Sequence, residues 1–202
     1  MSNVRPHEEM ESFFEDLPIR TSRLVLRPPE ITDAEALFSV FSDVEVMRYW
    51  STPPWQSMQD ASVRIERDRV ALIDGSFLCL LLQPVEGGPI LGAVTLLAFV
   101  KGSRRAEIGY ILSRHAWGRG LIREALCGLL EYGFNKLSLR RVEADIDPRN
   151  ERSAKVLERL GFVREGFLRE RWIVGGEVSD TALYGLLAQE WIATPRRQHG
   201  EA

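Results

Sequence analysis

The chain has 202 residues, 45% of them hydrophobic and 27% charged, with a formal net charge of −3. That length suits one domain with a substantial core. The near-balanced charge argues against a general nucleic-acid footprint. The longest apolar stretches, 77–82 and 90–100, fall well short of the roughly 18 residues needed to span a bilayer. The N-terminal stretch carries Glu8, Glu9, Glu11, Glu15 and Asp16, and it lacks the basic and apolar regions of a signal peptide. Cys79 and Cys127 lie in apolar surroundings without metal-ligand spacing, which suits reduced core residues and a cytoplasmic location. His7, His115 and His199 are scattered, so a metal site is not expected, and the short apolar stretches and near-balanced charge make a membrane or nucleic-acid partner equally unexpected.

Residues 1–20 read as a polar lead-in with little periodicity. Alternation over 21–28 suggests a first strand, stopped by Pro28 and Pro29. Thr32 and Asp33 then offer an N-cap for a helix with Ala36, Leu37, Val40 and Phe41 at helical spacing. Residues 44–74 look mostly helical, broken at Thr52-Pro53-Pro54. The period changes at 77–83 and 90–100, two β-rich runs joined by a turn rich in glycine and proline. A third strand is expected over 105–112, followed by a glycine-containing turn and a helix with Ile122, Ala125, Leu126, Leu129 and Leu130 on one face. A short strand at 141–146, a helix over 151–160 ending at Gly161, and two strands near 162–169 and 177–187 complete the pattern. The expectation is one α+β domain over 21–192 on a mostly antiparallel sheet, with a tail at 193–202.

The most informative stretch runs from Ile108 to Ala125, where a strand enters a turn containing Gly118 and Gly120 and leaves directly into a helix. The first N–H groups of a helix have no intrahelical acceptor, and the dipole places partial positive charge there. Glycines let a ligand approach the backbone closely, so the geometry suits a pyrophosphate, with Arg119 and Arg123 adding charge. The plain alternative is a simple strand-to-helix turn. The nucleotide P-loop is absent, because Leu121 follows Gly120, and the dinucleotide fingerprint fails at Arg123. A second constellation begins at Asn150, well placed as an N-cap with Ser153 in the first turn, and ends at Leu160-Gly161-Phe162.

Together these segments resemble the GNAT superfamily of acyl-CoA-dependent N-acetyltransferases, over nearly the whole chain from Thr21 to Trp191. Trp117-Gly118-Arg119-Gly120 is similar to that family's pyrophosphate loop. The segments 21–27, Glu107-Ile108-Gly109-Tyr110 and 166–170 are similar to enzymes that acetylate ribosomal-protein N-termini. The resemblance implies a sheet that splays open after its fourth strand, with helices on both faces and acetyl-CoA in the opening. It implies pantetheine contacts to the backbone at Ile111 and Leu112, and pyrophosphate contacts to the amides of Trp117, Gly118, Arg119, Gly120, Leu121 and Ile122. Asn150 and Ser153 complete the implied cofactor-binding set. The sequence departs from the family at His115, where Gln or Arg is common, and at Leu157, where many members carry a tyrosine general acid. The ribosomal-protein branch commonly lacks that tyrosine as well, and the resemblance then implies Ser153 as the candidate to stabilise the departing thiolate, with a purely capping role as the alternative.

The chemistry is aminolysis of a thioester, and an alkylammonium with a pKa near 10 must first lose a proton. Glu107 is the candidate base, acting through water, because alternation puts it on the face of Gly109 and Ile111. A salt bridge to Arg104, Arg105 or a neighbouring strand is its structural alternative. His115 reads as a loop residue, Glu124 as a complement to the helix N-terminus, and Trp172 and Tyr184 as core or rim. Tyr49, Trp50 and Trp55 either line the acceptor side or pack as core. The acceptor is expected to be a protein N-terminus; a small amine or a non-catalytic acyl-CoA-binding role are the alternatives. A second copy of the chain is a candidate partner through the strand-rich C-terminus.

Overall fold

The computed structural model describes residues 13–193; His7, His199 and most of the predicted tail lie outside them. Strands are β1 (Ile19–Arg20), β2 (Leu24–Arg27), β3 (Leu78–Pro84), β4 (Gly92–Val100), β5 (Arg105–Leu112), β6 (Arg141–Ile146), β7 (Val163–Val174) and β8 (Glu177–Leu187). Helices are α1 (Ala34–Phe41), α2 (Val44–Met47), α3 (Met58–Asp74), α4 (Leu121–Asn135), α5 (Glu151–Arg159) and α6 (Ala188–Ala193). The strands form one sheet in the order β1-β2-β3-β4-β5-β6-β8-β7, antiparallel except between β5 and β6. Among the described residues, no helix is long and apolar enough to cross a membrane.

Alternation along β3 explains why both sheet faces are covered. Leu78, Leu80 and Leu82 join the core that holds Ala125, Leu126, Leu129 and Leu130 of α4. Cys79 and Leu81 join Leu37, Val40 and Phe41 of α1 and Ile65 of α3 on the other face. A strand buried on both faces loses its polar alternation, which is why 77–83 reads as a continuous apolar run.

The lead-in is structured further back than its polarity suggests. Phe14 is buried in the core, β1 pairs with β2, and the Tyr132 hydroxyl donates to the Glu15 carbonyl at 2.8 Å. The strand expected over 21–28 begins only at Leu24, because Thr21 to Arg23 form a turn in which the Thr21 N–H donates to the Leu24 carbonyl. β7 is longer than expected, since its ladder with β8 continues to Val174 opposite Glu177, and Gly175 and Gly176 turn the chain there with positive φ.

The feature that positions the site is a gap. β5 and β6 pair only from Arg105 opposite Arg141 to Glu107 opposite Glu143. Beyond that point β5 stays with β4 as far as Leu112, whereas β6 stays with β8 as far as Ile146. Setting aside the two-residue β1, β5 is the fourth strand, so the sheet splays where the resemblance implies.

Candidate active site

The gap's backbone lining follows from register. In an antiparallel pair, alternate residues turn N–H and C=O toward the partner. Ser113 donates to the Leu91 carbonyl at 2.8 Å, so Ile111 and Gly109 also face β4, while Tyr110 and Leu112 turn theirs toward the gap. This corrects one expectation: Ile111 is committed to β4 through its backbone and to the α1–α3 core through its side chain. Tyr110 and Leu112 present the backbone groups instead. The Leu112 carbonyl accepts the Trp117 indole N–H at 2.7 Å, which ties the glycine loop to the end of β5.

Gly118 and Gly120 both adopt the left-handed region, at φ 73° and 72°. A Cβ at Gly118 would meet no atom within 4 Å, so the glycine is there for its backbone and for the open surface it leaves. Gly120 caps α4 through backbone alone, and no side chain among the described residues accepts from the first turn. The Leu121 and Ile122 amides therefore point outward without intrahelical acceptors, as an anion site at a helix entrance needs. Arg119 and Arg123 are exposed beside it, and the Arg152 guanidinium lies 4.9 Å from the Trp117 ring centroid. These features fit a pyrophosphate.

Across the gap, Asn150 caps α5 as expected, its side-chain oxygen accepting the Ser153 N–H at 3.1 Å. Ser153 is 8% exposed, and its Oγ lies 2.5 Å from the Tyr110 hydroxyl. Burial pushes the Tyr110 phenol up to about 12 despite the bond to Ser153. Leu157, one turn further on the same helix face, is fully buried in the core.

Glu107 is half-buried and has no ion-pair partner within 4.0 Å among the described residues. The arginine nearest in sequence, Arg105, pairs with Glu143 at 2.5 Å and acts on Glu107 only as a longer-range attraction, as Arg171 does. Burial first, then the charges of Asp145 and Glu143, hold the Glu107 carboxyl above its ordinary range. Asp145 accepts from the Thr181 hydroxyl at 2.7 Å and the Trp172 indole at 3.3 Å, both neutral donors. Asp145 and Glu143 therefore set acids beside Glu107, offset in part by the attraction of Arg105 and Arg171.

Several other residues fall into plainer roles. His115 is exposed on the loop, 3.4 Å from Ser113 Oγ. Trp55 stacks on Phe41 at 4.4 Å and Trp50 meets the same ring edge-on, so both are core. Tyr49 instead faces the Arg149 guanidinium at 5.8 Å. Glu124 is not a simple dipole complement. It is buried, and it accepts from Thr21 Oγ1, Ser22 Oγ, the Arg23 N–H and Arg23 Nε at 2.6–2.9 Å. Sequence reasoning missed this tie, as it missed Tyr110, Asp145 and Arg152.

An open strand pair, a glycine loop at a helix entrance without a side-chain cap and a carboxylate without an ion-pair partner among the described residues are features that an acyl-CoA site would use. The sequence model of the acetyltransferase (GNAT) domain matches residues 23–163. The chain belongs to the GNAT family. It is accordingly an acetyl-CoA-dependent N-acetyltransferase. The uncharacterized N-acetyltransferase p20 of Bacillus licheniformis is 34% identical over 171 residues, covering 85% of this chain and 96% of its own. The ribosomal protein uS5-alanine N-acetyltransferase of Escherichia coli K12 is 29% identical over 189 residues, covering 89% and 94%. Among solved structures, a spermidine N-acetyltransferase from Vibrio cholerae, in complex with CoA and spermine, shares the fold with a TM-score of 0.76. That likeness, at 23% identity over 85% of this chain and 99% of the other, speaks for the fold alone.

Proposed function

We propose that this GNAT enzyme acetylates the N-terminal amine of a protein in the cytoplasm, using acetyl-CoA held in the gap between β5 and β6. The observation that carries the reading is the gap itself, with backbone groups of Tyr110 and Leu112 on one strand and Glu107 at its base. Trp117, Gly118, Arg119, Gly120, Leu121 and Ile122 would hold the pyrophosphate, and Asn150 fixes the α5 turn that carries Ser153. Acetyl-CoA supplies an acyl thioester. Glu107 takes the amine's proton through water, and the Ser153 hydroxyl donates a hydrogen bond to the departing sulfur.

Proton chemistry favours an α-amine. An N-terminal ammonium has a pKa of about 7.7–8.0 against roughly 10.4 for a lysine-type amine. Burial and the neighbouring acids raise the Glu107 carboxyl, and for any carboxylate base the lower pKa of an α-ammonium leaves the smaller proton-transfer gap. The ribosomal-protein enzyme of E. coli, similar over most of both chains, supports the same acceptor class.

Acetylation of a small polycation is the second reading, and Asp145 favours it. This carboxylate is bonded only to neutral donors beside Glu107, so it offers charge to a second ammonium of an acceptor. A panel of N-terminal peptides and small polyamines, each tested with acetyl-CoA for release of free CoA thiol, separates the two. Turnover of peptides with a free α-amine, lost on blocking that amine, supports the first reading. Turnover confined to polyamines overturns it.

A further inference from the structure

Leu157 leaves this enzyme without a phenol at the helix position where many relatives carry one, yet a half-buried phenol on β5, Tyr110, bonds Ser153 one turn before it on that helix. Tyr110 is on β5, past the point where β6 separates, and Ser153 is on the helix that follows β6. Their hydroxyls bridge the gap at 2.5 Å, within the range of a strong O–H···O bond.

Either hydroxyl can donate in that bond, and the shorter contact favours Tyr110 as the donor. Tyr110 has one proton, and its two acceptors within reach are Ser153 Oγ at 2.5 Å and the Ser153 carbonyl at 3.3 Å. The first is far better placed, and the carbonyl belongs to the helix ladder. If Tyr110 donates to Oγ, the Ser153 proton is freed, and no other acceptor among the described residues takes it. We propose that Tyr110 is a positioning residue that acts through Ser153, orienting the serine O–H toward the departing CoA sulfur and strengthening it as a donor. This rests on the assignment of Ser153 to the thiolate made above.

The step balances without an added reactant. The ammonium's first proton passes through Glu107 and water to solvent, and the neutral amine nitrogen then bonds to the thioester carbonyl carbon. The C–S bond breaks with its electron pair going to sulfur, and the second proton, from the tetrahedral intermediate's nitrogen, goes to the freed Glu107 carboxylate. Tyr110 and Ser153 keep their protons. A phenol pushed up to about 12 lies well above a thiol near 8.5, so transfer to sulfur would run uphill. The pair therefore solvates the thiolate where the buried Leu157 cannot.

The test titrates the thiol of bound CoA by thiolate ultraviolet absorbance, alongside kcat and KM. The enzymes are wild type, Tyr110→Phe, Ser153→Ala and the double variant. Wild type should hold the bound thiol below its free pKa. Tyr110→Phe should raise it by about half a unit and lower kcat about fivefold with the acetyl-CoA KM unchanged. The double variant should be no worse than Ser153→Ala alone, because one residue acts through the other. Additive losses, or a Tyr110→Phe thiol pKa equal to wild type, overturn the Tyr110 inference while leaving Ser153 in place. A Ser153→Ala enzyme with wild-type kcat and thiol pKa overturns the serine assignment itself, and the inference with it. CoA affinity by calorimetry and Tm verify that each variant is folded.

Discussion

Replacing Glu124 by alanine would test how the glycine loop is held. Glu124 lies in the first turn of α4 and is buried, yet it gathers four donors from the turn before β2. The Arg23 side chain is 51% exposed, so its ion pair contributes little, about 0.5 kcal/mol. The Thr21 and Ser22 hydroxyls and the Arg23 N–H are partly buried, and each loses about 1 kcal/mol when left to water or unpaired. Glu124→Ala should therefore destabilise the fold by about 3 kcal/mol, and Tm should fall by roughly 6–12 °C for a chain of this size. Glu124→Gln keeps an acceptor for three of the donors and turns its amide only against Arg23 Nε, so it should cost about 1 kcal/mol. Burial alone would push the Glu124 carboxyl up, but the bonds from Thr21, Arg23 and Ser22 outweigh it and hold the pKa below the ordinary value. A depressed carboxylate stabilises the fold above its unfolded pKa, near 4.3, and that contribution is lost as pH falls through the folded value. The Tm gap between wild type and Glu124→Ala should thus narrow on acidification below about pH 4.3. Function should follow, because Arg23 Nη1 donates to the Arg119 carbonyl at 3.0 Å and links this tie to the loop. Scanning calorimetry across pH, with acetyl-CoA titration, measures all of it. Equal Tm losses for the alanine and glutamine variants, or no pH dependence of the gap, would refute the account.

Glu107→Gln should separate activity from stability. A carboxyl raised in the folded state costs stability as pH rises from about 4.3 through its folded pKa, so at pH 7 the glutamine variant should match or slightly exceed wild type in Tm. Its kcat should fall by about 10²–10⁴, and the rising limb of the pH–rate profile should disappear; a lowered Tm with kcat retained would assign Glu107 to structure. Gly118→Val meets open space but not an allowed backbone, so it should cost about 1–2 kcal/mol and weaken acetyl-CoA at least about tenfold, leaving the acceptor KM unchanged. Unchanged calorimetric affinity would remove the loop from the cofactor site. Leu157→Tyr inserts a hydroxyl and a ring into a fully buried site and should cost about 1–3 kcal/mol without raising kcat. A gain in kcat would show that this position does reach the sulfur.

What could be read from the residues and what could not divides along the range of the forces involved. Gly118 and Gly120 were legible because positive φ is a local demand, and β5 and β6 were legible because period-2 runs declare themselves within six or eight residues. The side-chain face of Glu107 follows from that same period. The backbone direction of Ile111 does not, since it depends on which hydrogen-bonding phase pairs with β4, and that is set by the Ser113–Leu91 bond across the sheet. Tyr110 and Ser153 lie 43 positions apart and meet only after the chain has travelled through α4 and β6. Glu124 shows how a local reading goes wrong. An acid in the first turn of a helix already has a sufficient local cause in the dipole, so nothing at that position asks for more. Burial is what asks for more, because a carboxylate 6% exposed needs donors in proportion to the water it has lost. The signal was present at the other end of the chain, where Thr21, Ser22 and Arg23 set donors in a row just ahead of an apolar strand. Read as part of that strand, they had no reason to be consecutive; read as the lining of a carboxylate pocket, each supplies one or more of its four bonds.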